Sequence, residues 1–161
     1  MDSTVDTVRG YYDENAQLEW DRLEKHPFEF IFTTGMMERY IRPGDSVLDI
    51  GGGPGRYSIH YAKMGCRVVL AELSSGNVAL AREKAAEAGV AIETHVCDCL
   101  ELERLDLGQF DHVFLMGPLY HLQREEDRVR AVEVALRHLK PGGMLYVSFI
   151  LTFAGIIYDL Q

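Results

Sequence analysis

The segment from Val47 to Gly55 combines the residue types of a ligand-binding turn. Its apolar residues predict a short buried strand, and Asp49 places a carboxylate near the carboxyl end of that strand. Gly51, Gly53 and Gly55 follow at alternate positions and predict a tight turn that opens a helix. Because glycine adopts positive φ and carries no Cβ, we attribute these residues to the close approach of a nucleoside-sized ligand. Asp49 would then favour a ligand that carries an ammonium group.

The glycine spacing also distinguishes this turn from a dinucleotide-binding turn. It is G-x-G-x-G rather than G-x-G-x-x-G, since Arg56 stands where the third glycine of the dinucleotide fingerprint belongs. A dinucleotide site places pyrophosphate over the turn, where the carboxylate of Asp49 would give no favourable contact. A nicotinamide-dependent oxidoreductase is therefore the weaker enzyme hypothesis.

Strands and helices alternate beyond residue 42 and must position these groups. The strand segments are apolar on both faces, which is typical of a parallel sheet covered by helices. We expect strands at Val47–Ile50, Val68–Ala71, Ala91–Val96, Val113–Met116 and Leu145–Phe149. Helical periodicity predicts two core faces, Val78, Ala81, Ala85 and Ala88 after the second strand, and Val129, Val132, Leu136 and Leu139 after the fourth. The predicted fold class is α/β, a doubly wound, mostly parallel sheet with helices on both faces.

Polar side chains recur where the predicted strands end. In open α/β sheets, ligands bind beyond the carboxyl ends of the strands, where the strand order reverses. Asp49, Glu72, Asp98 and Met116 stand at or just after such ends. We therefore expect these four residues to surround a single nucleoside.

From about Tyr11 to about Phe149, the chain resembles the class I S-adenosylmethionine-dependent methyltransferases, which have a Rossmann-like fold. The strand and glycine turn described above resemble the first motif of that family. Glu72 is similar to its ribose-binding acidic residue, and Cys97-Asp98-Cys99 resembles the segment whose aspartate and following residue hold the adenine. The segments 110–122 and 139–145 resemble the fourth-strand motif and the turn into the fifth strand.

The resemblance implies S-adenosylmethionine as the cofactor and a set of residues that bind it. An amino-terminal helical lid, residues 1–42, would cover a cofactor-binding domain, residues 43–161. In many family members an aromatic residue of the lid reaches the methionine carboxylate, although such a residue could equally fix the helix to the sheet. The implied cofactor-binding residues are Tyr12, Asp49, Gly51, Gly52, Gly53, Gly55, Glu72, Leu73, Asp98, Cys99 and Met116.

The sequence does not assign a catalytic residue. His121 follows the fourth strand at the expected cleft, where it could orient or deprotonate an acceptor, or cap the next helix. The role of its neighbour Tyr120 is equally open. Cys97 and Cys99 lack a second pair of ligands, so we expect no metal site. The Met-Gly-Pro-Leu-Tyr-His segment lacks the Asn/Asp-Pro-Pro-Tyr pattern linked with amino methylation of bases, which favours a small-molecule acceptor.

The overall composition bears on the partners and the location of the protein. The chain has 16 basic and 25 acidic residues and a net charge of −9, which argues against broad nucleic-acid binding. The amino end shows no secretory signal, and the three cysteines favour a reducing, cytoplasmic location. The uncharged run Met144–Tyr158 is shorter than the roughly 20 residues needed to cross a bilayer. We expect a buried strand there that continues into another core element.

The family fold continues beyond the fifth strand, whereas only five strands are readable here. We therefore expect either a fragment of a longer protein or a homo-oligomer that pairs the edge of the fifth strand with another copy. A non-catalytic module that binds S-adenosylmethionine or oligomerises remains the alternative to an enzyme.

Overall fold

The computed structural model describes residues 3–150, which form one five-stranded sheet with helices on both faces. The strand order is β3-β2-β1-β4-β5, and every neighbouring pair is parallel. The predicted doubly wound α/β fold is therefore confirmed. The strands are β1 (Ser46–Ile50), β2 (Arg67–Glu72), β3 (Glu93–Val96), β4 (Phe110–Leu115) and β5 (Leu139–Val147).

Two helices precede the sheet and three lie between its strands. The helices are α1 (Ser3–Lys25), α2 (Pro27–Met37), α3 (Arg56–Lys63), α4 (Ser75–Glu87) and α5 (Glu125–Arg137). Two short 3₁₀ segments, Cys99–Leu105 and Pro118–Tyr120, follow β3 and β4. α1 is bent at Asn15, where φ is −120° and ψ is 19°. Pro27 is the first residue of α2, a position where its missing N–H costs the helix no hydrogen bond.

The core lies on both faces of the sheet, because alternate residues of a strand point to opposite sides. On one face, Leu48 and Val113 pack with Val134 of α5. On the other face, Val47 and Phe114 belong to a second cluster, to which α2 and α3 contribute. All of β1 is buried, and so is β2 apart from its first residue. The burial of β1 and β2 fixes the position of both strands in the sheet. The site residues lie at the carboxyl ends of these strands.

The prediction of the buried helix faces agrees with the structure better for α4 than for α5. In α4, Val78, Ala81 and Ala85 are buried as expected, while Ala88 caps the helix and is half-buried. In α5, the predicted face is confirmed for Val132 and Leu139, which pack against the core, and wrong for Val129 and Leu136, which are 53% and 51% exposed. The buried residues of α5 are Ala131, Val134 and Ala135. The small side chains of Ala131 and Ala135 let the helix approach the sheet closely, and Val129 and Leu136 face outward.

The segment between β4 and β5 departs from the predicted boundaries. Phe110 pairs with Leu139 and His112 pairs with Met144, so the single residue Asp111 opposes residues 140–143. β5 therefore begins at Leu139 rather than near Leu145, with the Pro-Gly-Gly turn as an irregularity inside it. β4 ends at Leu115, which leaves Met116 on the following turn.

Within residues 3–150, β5 pairs only with β4. Phe149 and Ile150, just after β5, are exposed, as is the outward face of α5. The predicted continuation of the Met144–Tyr158 run falls partly on residues 151–161, which lie outside the described part of the chain. None of the helices in residues 3–150 is both long and apolar enough to cross a membrane.

Candidate cofactor-binding site

A cavity of about 550 Å³ lies at the carboxyl ends of β1, β2 and β4, below α1. This volume is typical of small-molecule sites, which span roughly 300–1,000 Å³. Ten of the eleven predicted cofactor residues line it: Tyr12, Asp49, Gly51, Gly52, Gly53, Glu72, Leu73, Asp98, Cys99 and Met116. The eleventh, Gly55, lies outside the lining and precedes α3 with φ of 81°.

The glycine turn has the predicted backbone, since φ is 68° at Gly51 and 57° at Gly53. The attribution of all these glycines to a close-lying ligand is wrong for Gly51 and Gly52. A Cβ on Gly51 would lie 2.5 Å from Cγ of Pro118, and one on Gly52 would lie 2.4 Å from Oδ2 of Asp49. The protein itself therefore requires these two glycines, independently of any ligand. Only the Cβ position of Gly53 is open, with its nearest neighbour, Nδ2 of Asn77, at 3.9 Å.

Glu72 ends β2 inside the cavity wall, and backbone donors hold its buried carboxylate. Oε2 accepts from the N–H of Gly53 at 3.0 Å, and Oε1 accepts from the N–H of Ser74 at 2.9 Å. Burial raises the pKa of Glu72, while these hydrogen bonds lower it. The two backbone contacts fix the carboxylate orientation before any ligand arrives.

Asp49 is a second buried carboxylate, only 2% exposed, below the glycine turn. Its Oδ2 accepts from Oγ of Ser58 in α3 at 2.8 Å. Burial raises the pKa of Asp49 to about 7, and the negative charge of Glu72 acts in the same direction. A cationic group in the cavity would favour the ionised form of this side chain.

Ser74 and Asn77 belong to this wall, and the sequence analysis missed both. Ser74 caps α4 by accepting from the N–H of Asn77 at 3.0 Å. Oδ1 of Asn77 is buried and has no hydrogen-bond partner among residues 3–150. A buried acceptor of this kind needs a donor, which a ligand hydroxyl would supply. The signal in the sequence was a serine two positions after Glu72, followed three positions later by asparagine.

The residues predicted to bind the adenine, Asp98 and Cys99, lie in the segment after β3. Oδ1 of Asp98 accepts from the N–H of Leu100 at 2.9 Å and caps the 3₁₀ segment. Cys99 and Cys97 are free, and burial raises the pKa of both thiols. Residues 3–150 contain no group of three or more side chains that could hold a metal ion.

α1 roofs the cavity and is attached to α4 by Asp13, a residue that sequence reasoning missed. Oδ1 of Asp13 accepts from Oγ of Ser74 at 2.7 Å, Oγ of Ser75 at 3.1 Å and the N–H of Gly76 at 2.9 Å. These hydrogen bonds lower the pKa of Asp13. The backbone approach is close, because a Cβ on Gly76 would lie 2.6 Å from the carbonyl oxygen of Asp13. No local pattern joins residues so far apart in sequence.

Tyr12 extends from α1 to the turn after β4. Its Oη lies 3.2 Å from Nε2 of His121, and the two rings meet edge to face with centroids 5.7 Å apart. Burial raises the pKa of Tyr12 to about 12 and lowers the pKa of His121. The predicted contact of Tyr12 with the cofactor stays a prediction. The neighbouring Tyr120 donates to the carbonyl oxygen of Met116 at 3.1 Å.

Known proteins resemble the chain across this site. The family model described as a methyltransferase domain matches residues 47–143, which is more than half of the chain. A ubiquinone biosynthesis O-methyltransferase of Xanthomonas campestris is 33% identical over 110 residues, which cover 68% of this chain and 45% of that protein. A probable tRNA methyltransferase 9B of Mus musculus is 33% identical over 111 residues, which cover 66% of this chain and 22% of that protein.

A solved structure extends the comparison to the amino-terminal helices. Magnesium protoporphyrin IX methyltransferase from Synechocystis, crystallised with bound S-adenosylmethionine, matches with a TM-score of 0.75 and 20% identity. The match covers 94% of this chain and 78% of that one, and at this identity it shows the fold alone. The chain spans less than half the length of the two relatives above. Its matched domain places it in the class I S-adenosylmethionine-dependent methyltransferase family, whose cofactor is S-adenosylmethionine.

Proposed function

We propose that the protein transfers the methyl group of S-adenosylmethionine to an oxygen atom of a small-molecule acceptor. The observation that carries the proposal is the roofed cavity, which holds the cofactor wall on one side and Tyr12 and His121 on another. Because Asp13 fastens α1 over this space, an acceptor must fit beneath the helix. The O-methyltransferase relative supports oxygen as the receiving atom. The net charge of −9 supports an acceptor other than nucleic acid.

The residues present suit the cofactor. Glu72 would accept from the ribose hydroxyls, and the unpaired Oδ1 of Asn77 would take a hydroxyl hydrogen from the same side. Oδ2 of Asp98 would accept from the adenine amino group, with Cys99 packing beside the ring. Asp49 would stabilise the cationic methionine end through the turn above it. The backbone at Gly53 leaves room for the ligand to approach.

The protein's share of the chemistry is alignment and exclusion of water. S-adenosylmethionine supplies a methyl group that is already activated, so holding the acceptor in line with it contributes much of the rate. α1 closes the cavity from above, and the Tyr12–His121 contact joins α1 to the turn after β4. Val8 and Leu122 add apolar surface to this part of the wall, beside the charged Arg9, Glu19 and Arg22 of α1. The apolar surface lowers the local dielectric and strengthens nearby polar contacts.

Isothermal titration tests the cofactor part of this proposal. We expect S-adenosylmethionine and S-adenosylhomocysteine to bind the folded protein, and NAD to give no heat of binding. Transfer of tritium from methyl-labelled S-adenosylmethionine to a panel of small hydroxylated compounds tests the acceptor class. A folded protein that binds NAD but neither methionine derivative would contradict the assignment. Transfer to RNA, and to none of the small compounds, would contradict the acceptor class alone.

A second candidate function rests on the edge of β5 that no strand of residues 3–150 covers. We propose that, if the protein is not catalytic, it keeps the cofactor site and pairs this edge with a second copy. The exposed Val129 and Leu136 of α5 and the exposed Phe149 just after β5 support it, since exposed apolar residues and an unpaired strand edge favour association. Analytical ultracentrifugation would contradict it by showing a monomer at all concentrations. The three free thiols lead us to propose a reducing, cytoplasmic location for either function.

A further inference from the structure

We propose that the outward face of α2 packs against the same face of a second copy, so that the protein forms a twofold dimer. This face consists of Phe28, Ile31, Phe32 and Met36 of α2 and of Tyr40 just after the helix, and we call it the α2 stripe. It is a different surface from the edge of β5, and the proposal does not depend on which acceptor the protein methylates.

The α2 stripe is exposed although its side chains are large and apolar. Phe28 and Phe32 are 74% and 72% exposed, and the other three residues are each more than half exposed. Positions 28, 32 and 36 follow one another at intervals of four, so their side chains form one continuous row along the helix. Because a helix that is apolar on all sides is normally buried, we expect this face to be covered in solution.

The opposite face of α2 is anchored to the protein, which fixes the direction of the α2 stripe. Met37 is 2% exposed and belongs to a core cluster. The guanidinium carbon of Arg56 lies 4.3 Å from the ring centre of Phe30, and the hydroxyl of Tyr57 donates to Oε1 of Glu29 at 2.6 Å. The α2 stripe is therefore a preformed surface, and little ordering of the chain opposes its association.

The area of the α2 stripe suits a second copy of the chain. If a fully exposed aromatic residue offers about 200 Å², the five residues together expose roughly 600 Å². This is the upper end of the apolar patches found on monomers, which reach about 300–600 Å². Two copies would bury roughly 1,200 Å² between them, the lower end of the range for specific interfaces. Pairing of identical faces about a twofold axis is also the commonest form of oligomer.

The charges around the α2 stripe favour a second copy over a membrane surface. From Glu24 to Arg42 the chain carries three acidic and three basic residues, so this region is neutral although the whole chain has a net charge of −9. Two neutral surfaces meet without local repulsion. A helix that lies on a membrane instead carries Lys and Arg on its polar face, and the sequence of α2 contains neither residue. A bilayer with anionic lipids would also repel a chain of this charge.

We expect the two α2 helices to run antiparallel, because opposed helix macrodipoles attract each other. A twofold axis across the middle of α2 would then bring Arg39 of one copy to Phe28 of the other. The guanidinium of Arg39 already lies along the α2 stripe, with Nη1 3.9 Å from Sδ of Met36. A guanidinium over an aromatic ring adds a cation–π contact. His26 and Glu29 line the cavity, so the dimer contact would also support this part of the cavity wall.

Sedimentation velocity of the full chain over a wide range of concentrations tests the proposal. We expect a dimer with a dissociation constant in the roughly micromolar range, because the interface is small. Phe32→Glu places two like charges in the centre of the interface and should weaken association roughly 100-fold. Arg39→Gln removes only the cation–π contact and should weaken association about fivefold.

Two matched controls place glutamate at exposed leucines outside the α2 stripe. Leu18→Glu changes a residue of α1 that is 65% exposed, and Leu136→Glu changes the outward face of α5. Neither control should change the dissociation constant of the dimer more than about twofold, since binding energy is concentrated in a few central residues. Thermal melting and titration with S-adenosylhomocysteine show whether each variant is folded and keeps its cofactor site.

The outcomes separate the possible occupants of the α2 stripe. A dimer that Phe32→Glu dissociates and both controls leave intact would support the proposal. A dimer that survives Phe32→Glu would overturn it, and loss of that dimer in Leu136→Glu would place the contact beside β5 instead. A monomer at all concentrations would overturn it as well. If that monomer floated with phosphatidylcholine vesicles, and Phe32→Glu abolished the flotation, the α2 stripe would be a membrane contact.

Discussion

The two sides of the cavity are built in different ways. On the cofactor side, Glu72, Asn77 and Asp49 are buried at the ends of strands or in the first turn of α4, and backbone donors or short side-chain contacts fix both carboxylates. On the side that we propose for the acceptor, Tyr12 and His121 are only half-buried, and Phe149 is exposed. The sheet thus positions one side, while a helix and two connecting segments position the other. Cofactor affinity and acceptor choice should therefore respond to different mutations.

The largest expected effect is on the cofactor side. Glu72→Gln replaces an acceptor with an amide, whose N–H₂ group faces the backbone donors of Gly53 and Ser74 or the ligand. Losing two charge-assisted hydrogen bonds should weaken S-adenosylhomocysteine binding roughly 100-fold. Isothermal titration measures the change, with Glu93→Gln at the start of the neighbouring β3 as the control. Affinity within threefold of the unmodified protein would show that Glu72 does not hold the ligand.

A substitution at the contact between α1 and α4, where the two sides of the cavity meet, should have an intermediate effect. Gly76→Ala places a Cβ 2.6 Å from the carbonyl oxygen of Asp13 and must displace α1 from α4. We expect S-adenosylhomocysteine to dissociate about tenfold faster while its wall stays intact, because a roofing helix that is loosened opens more often. Stopped-flow competition measures the rate. Gly35→Ala is the matched control, since its Cβ would have no neighbour within 4 Å. Identical dissociation rates for Gly76→Ala and Gly35→Ala would show that the packing of α1 on α4 does not retain the ligand.

The ionisation of Asp49 should make the cofactor side sensitive to pH. Its raised pKa, about 7, means that a cationic ligand must displace a proton at lower pH. Affinity for S-adenosylhomocysteine should therefore fall as pH drops below 7, by at most about tenfold per unit. The ligand-free fold shows the opposite sign, because the folded state retains a proton that the unfolded state loses. Its free energy of unfolding should fall as pH rises from about 4 to 7.

Asp49→Asn should weaken the pH dependence of ligand affinity and of the free energy of unfolding. Neither dependence should vanish, because the pKa of Glu72 is raised as well. Thermal melts from pH 5.5 to 8, with and without S-adenosylhomocysteine, measure the two effects together. Profiles that are unchanged by the substitution would show that Asp49 does not titrate in this range.

The smallest effects are expected on α5, far from the ligand. Val134→Ala leaves a cavity against the sheet and should cost roughly 1–3 kcal/mol of unfolding free energy. Leu136→Ala, on the exposed face, should stay within about 0.5 kcal/mol. Urea denaturation measures both values, and neither variant should change cofactor affinity. Equal costs would show that the outward face of α5 is covered in solution.

The sequence predicted the sheet, and most of the residues that it singled out for the cofactor line one cavity, because both patterns are local. Buried parallel strands leave apolar runs, and the glycine turn and Glu72 stand at fixed distances after them. It was wrong for Val129 and Leu136 of α5, because periodicity finds apolar positions on a helix but does not say which of them meet the sheet. It also missed the contacts of Asp13 and the pairing of Tyr12 with His121. Contacts across 61 and 109 positions depend on how α1 lies over the sheet, which no local pattern records.

Ser74 has a consequence for the kinetics of turnover. Its N–H holds Glu72, and its hydroxyl accepts from Asn77 and donates to Asp13 of α1. One residue thus connects the wall that would hold the ribose with the helix that completes the acceptor chamber. Because Ser74 joins these two parts, we expect a compulsory order of binding, in which the cofactor binds first and the acceptor second. The demethylated cofactor should then be the last molecule to leave, and it should compete with S-adenosylmethionine but not with the acceptor.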